Sequence, residues 1–184
     1  MEINEELLNQ IIPPITKPYN RDREWFSNDE ILSSLNKEEL RIVEQKLIEM
    51  LKTNDDILIP QTLVKMESIN SIPVMLKKME KIKNPLEKIT WASFVNEIKK
   101  GDKEMEKIAF REFENFEFIY GIQGPIFHDL IKFESERINK LIESFVDHKY
   151  PLVSIHARKV LGYKNYSKPN KQDIPNKKWW EFWK

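Results

Sequence analysis

The sequence predicts an all-α protein, on three observations. Over residues 36–163 apolar side chains recur at spacings of three and four, with no convincing alternation. Asn, Asp or Ser stands where apolar runs begin, and Pro falls in the first turn of several of them. No Asn-Gly or Asp-Gly dipeptide is available to close a hairpin.

The elements follow in order. Residues 1–35 carry a short helix over 2–12, a break at Pro13-Pro14 and a turn of helix after Ser27. Asn36 opens the longest helix, with Glu39 as the acidic half of a capping box and a stripe of Leu40, Val43, Leu47, Met50 and Leu51. Asp55-Asp56 begins a second helix around 57–68, with Leu58, Leu63 and Met66 inward and Pro60 in its first turn. Ser71 starts a third, with a stripe of Ile72, Leu76, Met79 and Ile82. Asn84, Pro85 and Glu87 form the clearest helix start in the chain. That helix carries Leu86, Ile89, Phe94, Val95 and Ile98 and stops at Gly101, read as its left-handed cap. Asp102 starts the next, with Met105, Ile108, Ala109, Phe113 and Phe116 on one side. Residues 117–130, with two Gly and a Pro, read as a buried-edge loop with a short turn of helix from Pro125. Helix resumes at Ser135 (Ile138, Leu141, Ile142, Phe145) and at Pro151 (Leu152, Ile155, Val160, Leu161), closing at Gly162.

Composition excludes more than it identifies. The 184 residues hold 30 Lys+Arg against 30 Asp+Glu, so no global field draws the chain to nucleic acid or membrane. No Cys removes disulfides, thiolate zinc sites and thiol nucleophiles together. Four Gly leave neither a G-x-G-x-x-G nor a Walker loop. Nothing approaches 18 consecutive apolar residues, and the start lacks a charged region before an apolar stretch, so the expected location is cytoplasmic.

No catalytic, cofactor or metal constellation emerges, and the expected protein is not an enzyme. His128, His148 and His156 stand in no H-x-x-x-H or H-E-x-x-H spacing and read as surface or helix-end residues. Carboxylates spaced by two, at Glu104/Glu106, Glu112/Glu114/Glu117 and Glu134/Glu136, fan around solvated helix faces. General acid–base work needs two held in one pocket with separated pKa values. Charge is nevertheless zoned. Residues 65–100 hold eight Lys and four acids, whereas 102–136 hold nine acids and four bases. Such zones suit steering toward a charged partner.

The terminal segment is the most unusual. Residues 164–176 are Lys- and Pro-containing and read as a tether. Four aromatics follow, Trp179, Trp180, Phe182 and Trp183. Three readings stand side by side: a cap folded over the end of the helical body, a hook for a partner's groove, or a contact with a membrane surface.

Short connections place neighbouring helices antiparallel. The stretch DDILIPQTLVKMESINSIPVMLKKME (55–80) resembles a HEAT-type repeat, entered for its second helix through Ile72-Pro73, and SIHARKVLGY (154–163) is similar to the first helix of another. The resemblance implies a short right-handed α-solenoid of antiparallel helix pairs over 36–163, preceded by the irregular segment 1–35 and followed by the tail 164–184. An irregular helical bundle is the alternative. Small HEAT-like proteins of this kind resemble bacterial immunity proteins that hold a toxin domain inactive. The function so implied is non-catalytic binding of another protein, such as a basic toxin domain. Its contact would use Glu104, Glu112, Glu114, Glu117, Glu134, Glu136 and the tail aromatics, with Trp91 and Phe110 as anchors or core residues. A HEAT-like DNA-repair enzyme is the second reading, served by the Lys zone but opposed by a net charge of −4 outside the tail. A membrane-peripheral adaptor is the third.

Overall fold

A computed structural model describes residues 5–14, 26–114, 116 and 124–163. Glu117 and the tail residues Trp179, Trp180, Phe182 and Trp183 lie outside the described residues. The described chain is all helical, with no strand. Its α-helices are α1 (Glu5–Ile11), α2 (Asp29–Ser34), α3 (Lys37–Thr53), α4 (Leu58–Lys65), α5 (Ile72–Met79), α6 (Pro85–Lys99), α7 (Lys103–Glu114), α8 (Phe127–Leu130), α9 (Glu136–Glu143) and α10 (Pro151–Val160). Single 3-10 turns at Ile69–Ser71, Gly124–Ile126 and Ile131–Phe133 join them. No described helix is long and apolar enough to cross a membrane.

The helix starts are chemically explicit. Asn36 Oδ1 accepts from the backbone N–H groups of Glu38 and Glu39, and Glu39 Oε2 accepts from the Asn36 N–H at 2.9 Å, completing the capping box. Asn84 Oδ1 accepts from Leu86 N–H, with Pro85 at the first helical position. Asp102 Oδ1 accepts from Glu104 and Met105 N–H. Burial pushes the Asp102 carboxyl up, but Lys99 and those two N–H groups outweigh it and hold it below the usual carboxylate range.

The packing centres on α6. Ile89 and the unbroken run from Trp91 to Asn96 are buried, as is Ile98, so this helix has little solvent face. It touches α4 and α5 on one side and α7, α8 and the 131–133 turn on the other. A helix apolar nearly all round belongs in a centre rather than on a surface. Helices that precede it and helices that follow it in the chain therefore share this one element. The N-terminal segment joins the same core: Ile11 and Ile12 are buried within it. A second concentration of aromatics, Phe113, Phe127 and Phe145, has ring centroids 5.4–5.8 Å apart and fastens α7, α8 and the residues after α9 together.

Several expectations need correction. Residues 117–123 of the expected loop lie outside the described residues; the expected turn of helix from Pro125 is present, and helical turns continue through 133 because Ile126, Phe127, Leu130 and Phe133 all reach the core. In α10 the inward residues are Val153 and Ala157, while Leu152 is 51% exposed. Val160 and Leu161 are partly buried against the core as expected, while the face of α10 that meets Gly124 carries Leu152 O and the His156 ring. The second helix ends at Lys65 rather than 68 because Glu67 turns left-handed. At the end of α6 the left-handed cap is Lys100 (φ 54°), with Gly101 following it.

Candidate functional site

Two helix ends and a 3-10 turn meet at a spacious cleft. The α4 end, the α6 end and the turn Ile131–Phe133 enclose about 820 Å³, lined by Val64, Lys65, Asn96, Glu97 and Phe133, with Glu67, Lys100 and Glu134 among its rim residues. A smaller recess of about 210 Å³ continues it past Phe26, Asn28, Thr62 and Phe94, sharing Val64, Lys65, Glu97 and Lys132.

The local reason for this convergence is in the backbone. Helix α4 closes with Ser68 N–H donating to Leu63 O and Glu67 N–H to Val64 O. Helix α6 repeats the pattern, Gly101 N–H to Asn96 O and Lys100 N–H to Glu97 O. Both are Schellman closures, which require a left-handed residue that is usually Gly. Here it is Glu67 (φ 51°) and Lys100 (φ 54°), and Glu134 (φ 49°) ends the 131–133 turn likewise. These three are the non-Gly residues with positive φ among the described residues, and all line the cleft.

Two buried amides tie the walls. Asn96 Nδ2 donates to Lys132 O at 3.0 Å, and its Oδ1 accepts from Asp102 N–H at 2.8 Å. Asn28 Nδ2 donates to Ile11 O and Thr62 Oγ1, while its Oδ1 accepts from Lys65 Nζ. A buried amide with both ends satisfied fixes its neighbours in one arrangement.

The charges on this frame are mostly paired. Lys65 meets Asp29 at 2.8 Å, and Lys65 with the Ser27 hydroxyl holds the Asp29 carboxyl below the usual range. Lys100 meets Glu67 at 2.9 Å. Lys132 lies 3.1 Å from Glu97 and 3.3 Å from Asp129. The contact with Glu97 is an ion pair rather than an aligned hydrogen bond, as no donor points in line at that buried Oε1. Glu134 has no ion pair among the described residues. It is the rim carboxylate that remains open to an incoming cation.

The other expected contact residues are dispersed. Glu104 pairs with Lys107 and Glu136 with Lys140, each at 2.6 Å. Glu112 is turned toward α6, 3.4 Å from Lys88 and 3.0 Å from Arg111, with its side chain 17% exposed. Glu114 is exposed at the end of α7. Positions 112 and 114 lie about 200° apart around a helix, so they do not share a face. Trp91 is buried at 3% exposure, and Phe110 lies beneath the Arg137 guanidinium at 3.5 Å.

One juxtaposition had no signal in sequence spacing. His128 and His156, 28 residues apart, approach at 3.4 Å between ring nitrogens. Burial lowers the pKa of each; Lys159 lowers both further, as does His128 for His156. Among the described residues no three His, Asp or Glu side chains are grouped to hold a metal. No family model, curated protein or solved structure matches the chain.

Proposed function

We propose that the protein is a non-catalytic module that binds another protein, with the cleft between α4, α6 and the 131–133 turn as its contact. The observation that carries this reading is the rim. Charged residues of both signs stand at three left-handed positions around an open cleft whose walls are tied by buried amides. A rigid, charged concavity of this size suits a protruding loop of a partner, with register set by charge complementarity. Glu134 selects for a basic group there.

The finer reading is an immunity protein that holds a basic toxin domain inactive. It is supported by the HEAT-type resemblance of 55–80 and 154–163 and by the exposed carboxylates Glu104, Glu114, Glu134 and Glu136. The basic stretch 65–100 favours a protein partner over DNA, because Lys65, Lys78, Lys88, Lys99 and Lys100 are each matched by a carboxylate.

Co-purification from the native cell identifies the partner, and the purified pair is then titrated. Glu134→Lys should weaken binding about tenfold, the worth of one charge-assisted contact. It should also lessen the response to salt, with helicity unchanged. Equal affinity of E134K and the parent protein would remove the cleft from the contact.

A further inference from the structure

The three His of the chain all stand where α10 is attached. His156 lies on the helix itself, 3.4 Å from His128 of α8 between ring nitrogens. His148 precedes the helix, and its Nδ1 accepts the N–H of Tyr150, the residue before Pro151, at 3.2 Å. We propose that these three side chains form a proton-operated latch, which holds α10 against α8 when neutral and releases it when charged.

Each contact needs an imidazole nitrogen free to accept. Between His128 and His156 one ring nitrogen donates and the other accepts; with both rings charged, two N–H groups face each other. At His148 a proton on Nδ1 removes the acceptor that Tyr150 N–H uses. Burial is the first obstacle to charging any of the three rings. Lys159 of α10 adds to it at His128, His128 and then Lys159 at His156, and Lys149 at His148. Asp129 favours a charge on His128, but it is already engaged by Thr90 Oγ1 of α6 at 2.7 Å and by Lys132 at 3.3 Å. Glu97 of α6 is turned to Lys132, and Asp147, beside His148, is taken by Arg158.

Modest apolar packing secures this helix. It lies on the 124–126 turn and on α8, and its fully buried side chains are the small Val153 and Ala157, with Val160 and Leu161 partly buried. Gly124 comes so close to His156 that a Cβ there would stand 2.8 Å from the ring. Two rings that repel have little room to turn aside in such a contact, so they part by moving the helix. The other attachment is indifferent to imidazole charge. Ser154 Oγ and Arg158 Nε both donate to Val146 O, and Arg158 pairs with Asp147. Helix α10 therefore leaves α8 while still tethered at 146–147. Such an opening is local, because elements held by few apolar contacts open at a lower free energy than the whole fold.

Amide exchange of the full chain, followed residue by residue in nitrogen–proton spectra, tests this. At about pH 7.5 the amides of α10 should be protected; at about pH 5 they should exchange close to their intrinsic rates, with α3 and α6 still strongly protected. The loss should track protonation of His128 and His156, read from their carbon-bound ring protons in the parent protein. H128Q/H148Q/H156Q, which keeps polar side chains at all three positions, should leave α10 as protected in acid as at neutral pH. Retained protection of α10 in acid, simultaneous loss from α6, ring titration complete before α10 is lost, or release that persists in the triple variant would each overturn the latch.

Discussion

His128 Nε2 and His156 Nδ1 lie 3.4 Å apart, with their rings nearly perpendicular at 5.6 Å between centroids. One imidazole donates and the other accepts, an arrangement open to two neutral rings but opposed once both are charged. The pair joins α8 to α10, so its protonation bears on how the last described helix is held.

A pH dependence follows, and its sign is fixed. Both folded-state pKa values are depressed below 6.5, by burial first; Lys159 then lowers His128, with Asp129 opposing and Lys132 adding, while His128 and then Lys159 lower His156. The unfolded chain then takes up more protons, and stability falls as pH drops through and below about 6.5. Urea midpoints measured from about pH 7.5 to 5 should decline, and H128Q/H156Q should flatten that decline. His148, also depressed by burial and by Lys149, leaves a smaller residual slope in the double variant.

Gly124 presses on the same pair. A Cβ there would stand 2.8 Å from His156 Cδ2 and 3.2 Å from Leu152 O. Gly124→Ala should destabilise by about 1–3 kcal/mol, the usual cost of overpacking. His156→Ala in that background should recover part of the loss, and a double-mutant cycle by thermal melting reads the coupling.

Asn96 joins α6 both to Lys132 O and to the start of α7. Asn96→Ala leaves a buried carbonyl and N–H unsatisfied and should cost about 1–3 kcal/mol by urea unfolding. Asn96→Asp, which loses the donor alone, should leave the Asp102 N–H bonded and cost less once its charge is neutralised at low pH.

Helix α3 depends on its first residue. Asn36→Ala removes both acceptor contacts of the capping box and should lower stability by about 1 kcal/mol. Amide exchange should quicken first in the opening turn, with the Leu47 and Leu51 region protected.

Helix starts were the most legible part of this fold. Asn36, Asn84, Asp102, Ser135 and Pro151 stand where α3, α6, α7, α9 and α10 begin, because caps act through residues within three positions. The inward phase of α10 was not legible. Leu152 carries the stronger hydrophobic signal, yet it is half exposed while Val153 and Ala157 are fully buried, a choice set by tertiary packing and not by local spacing. Nor could periodicity mark α6 as central, since its apolar residues fill most of its circumference and have no preferred side. The cleft and the histidine pair were invisible for a common reason. Each joins residues some 28 to 70 positions apart, such as Glu67 with Glu134, and local spacing carries no trace of such meetings.

The left-handed rim has a consequence for engineering. Helix α10 closes with Gly162 (φ 75°), where the turn is free of Cβ strain, while α4 and α6 close with Glu67 and Lys100. A side chain in that conformation costs about 1–2 kcal/mol, partly offset in glycine by greater freedom when unfolded. Glycine at 67, 100 and 134 should thus raise the melting temperature while erasing the very charges that a partner would meet. Heat resistance and recognition pull in opposite directions at these three positions, so a thermally hardened variant of this protein would be expected to go blind first at its cleft.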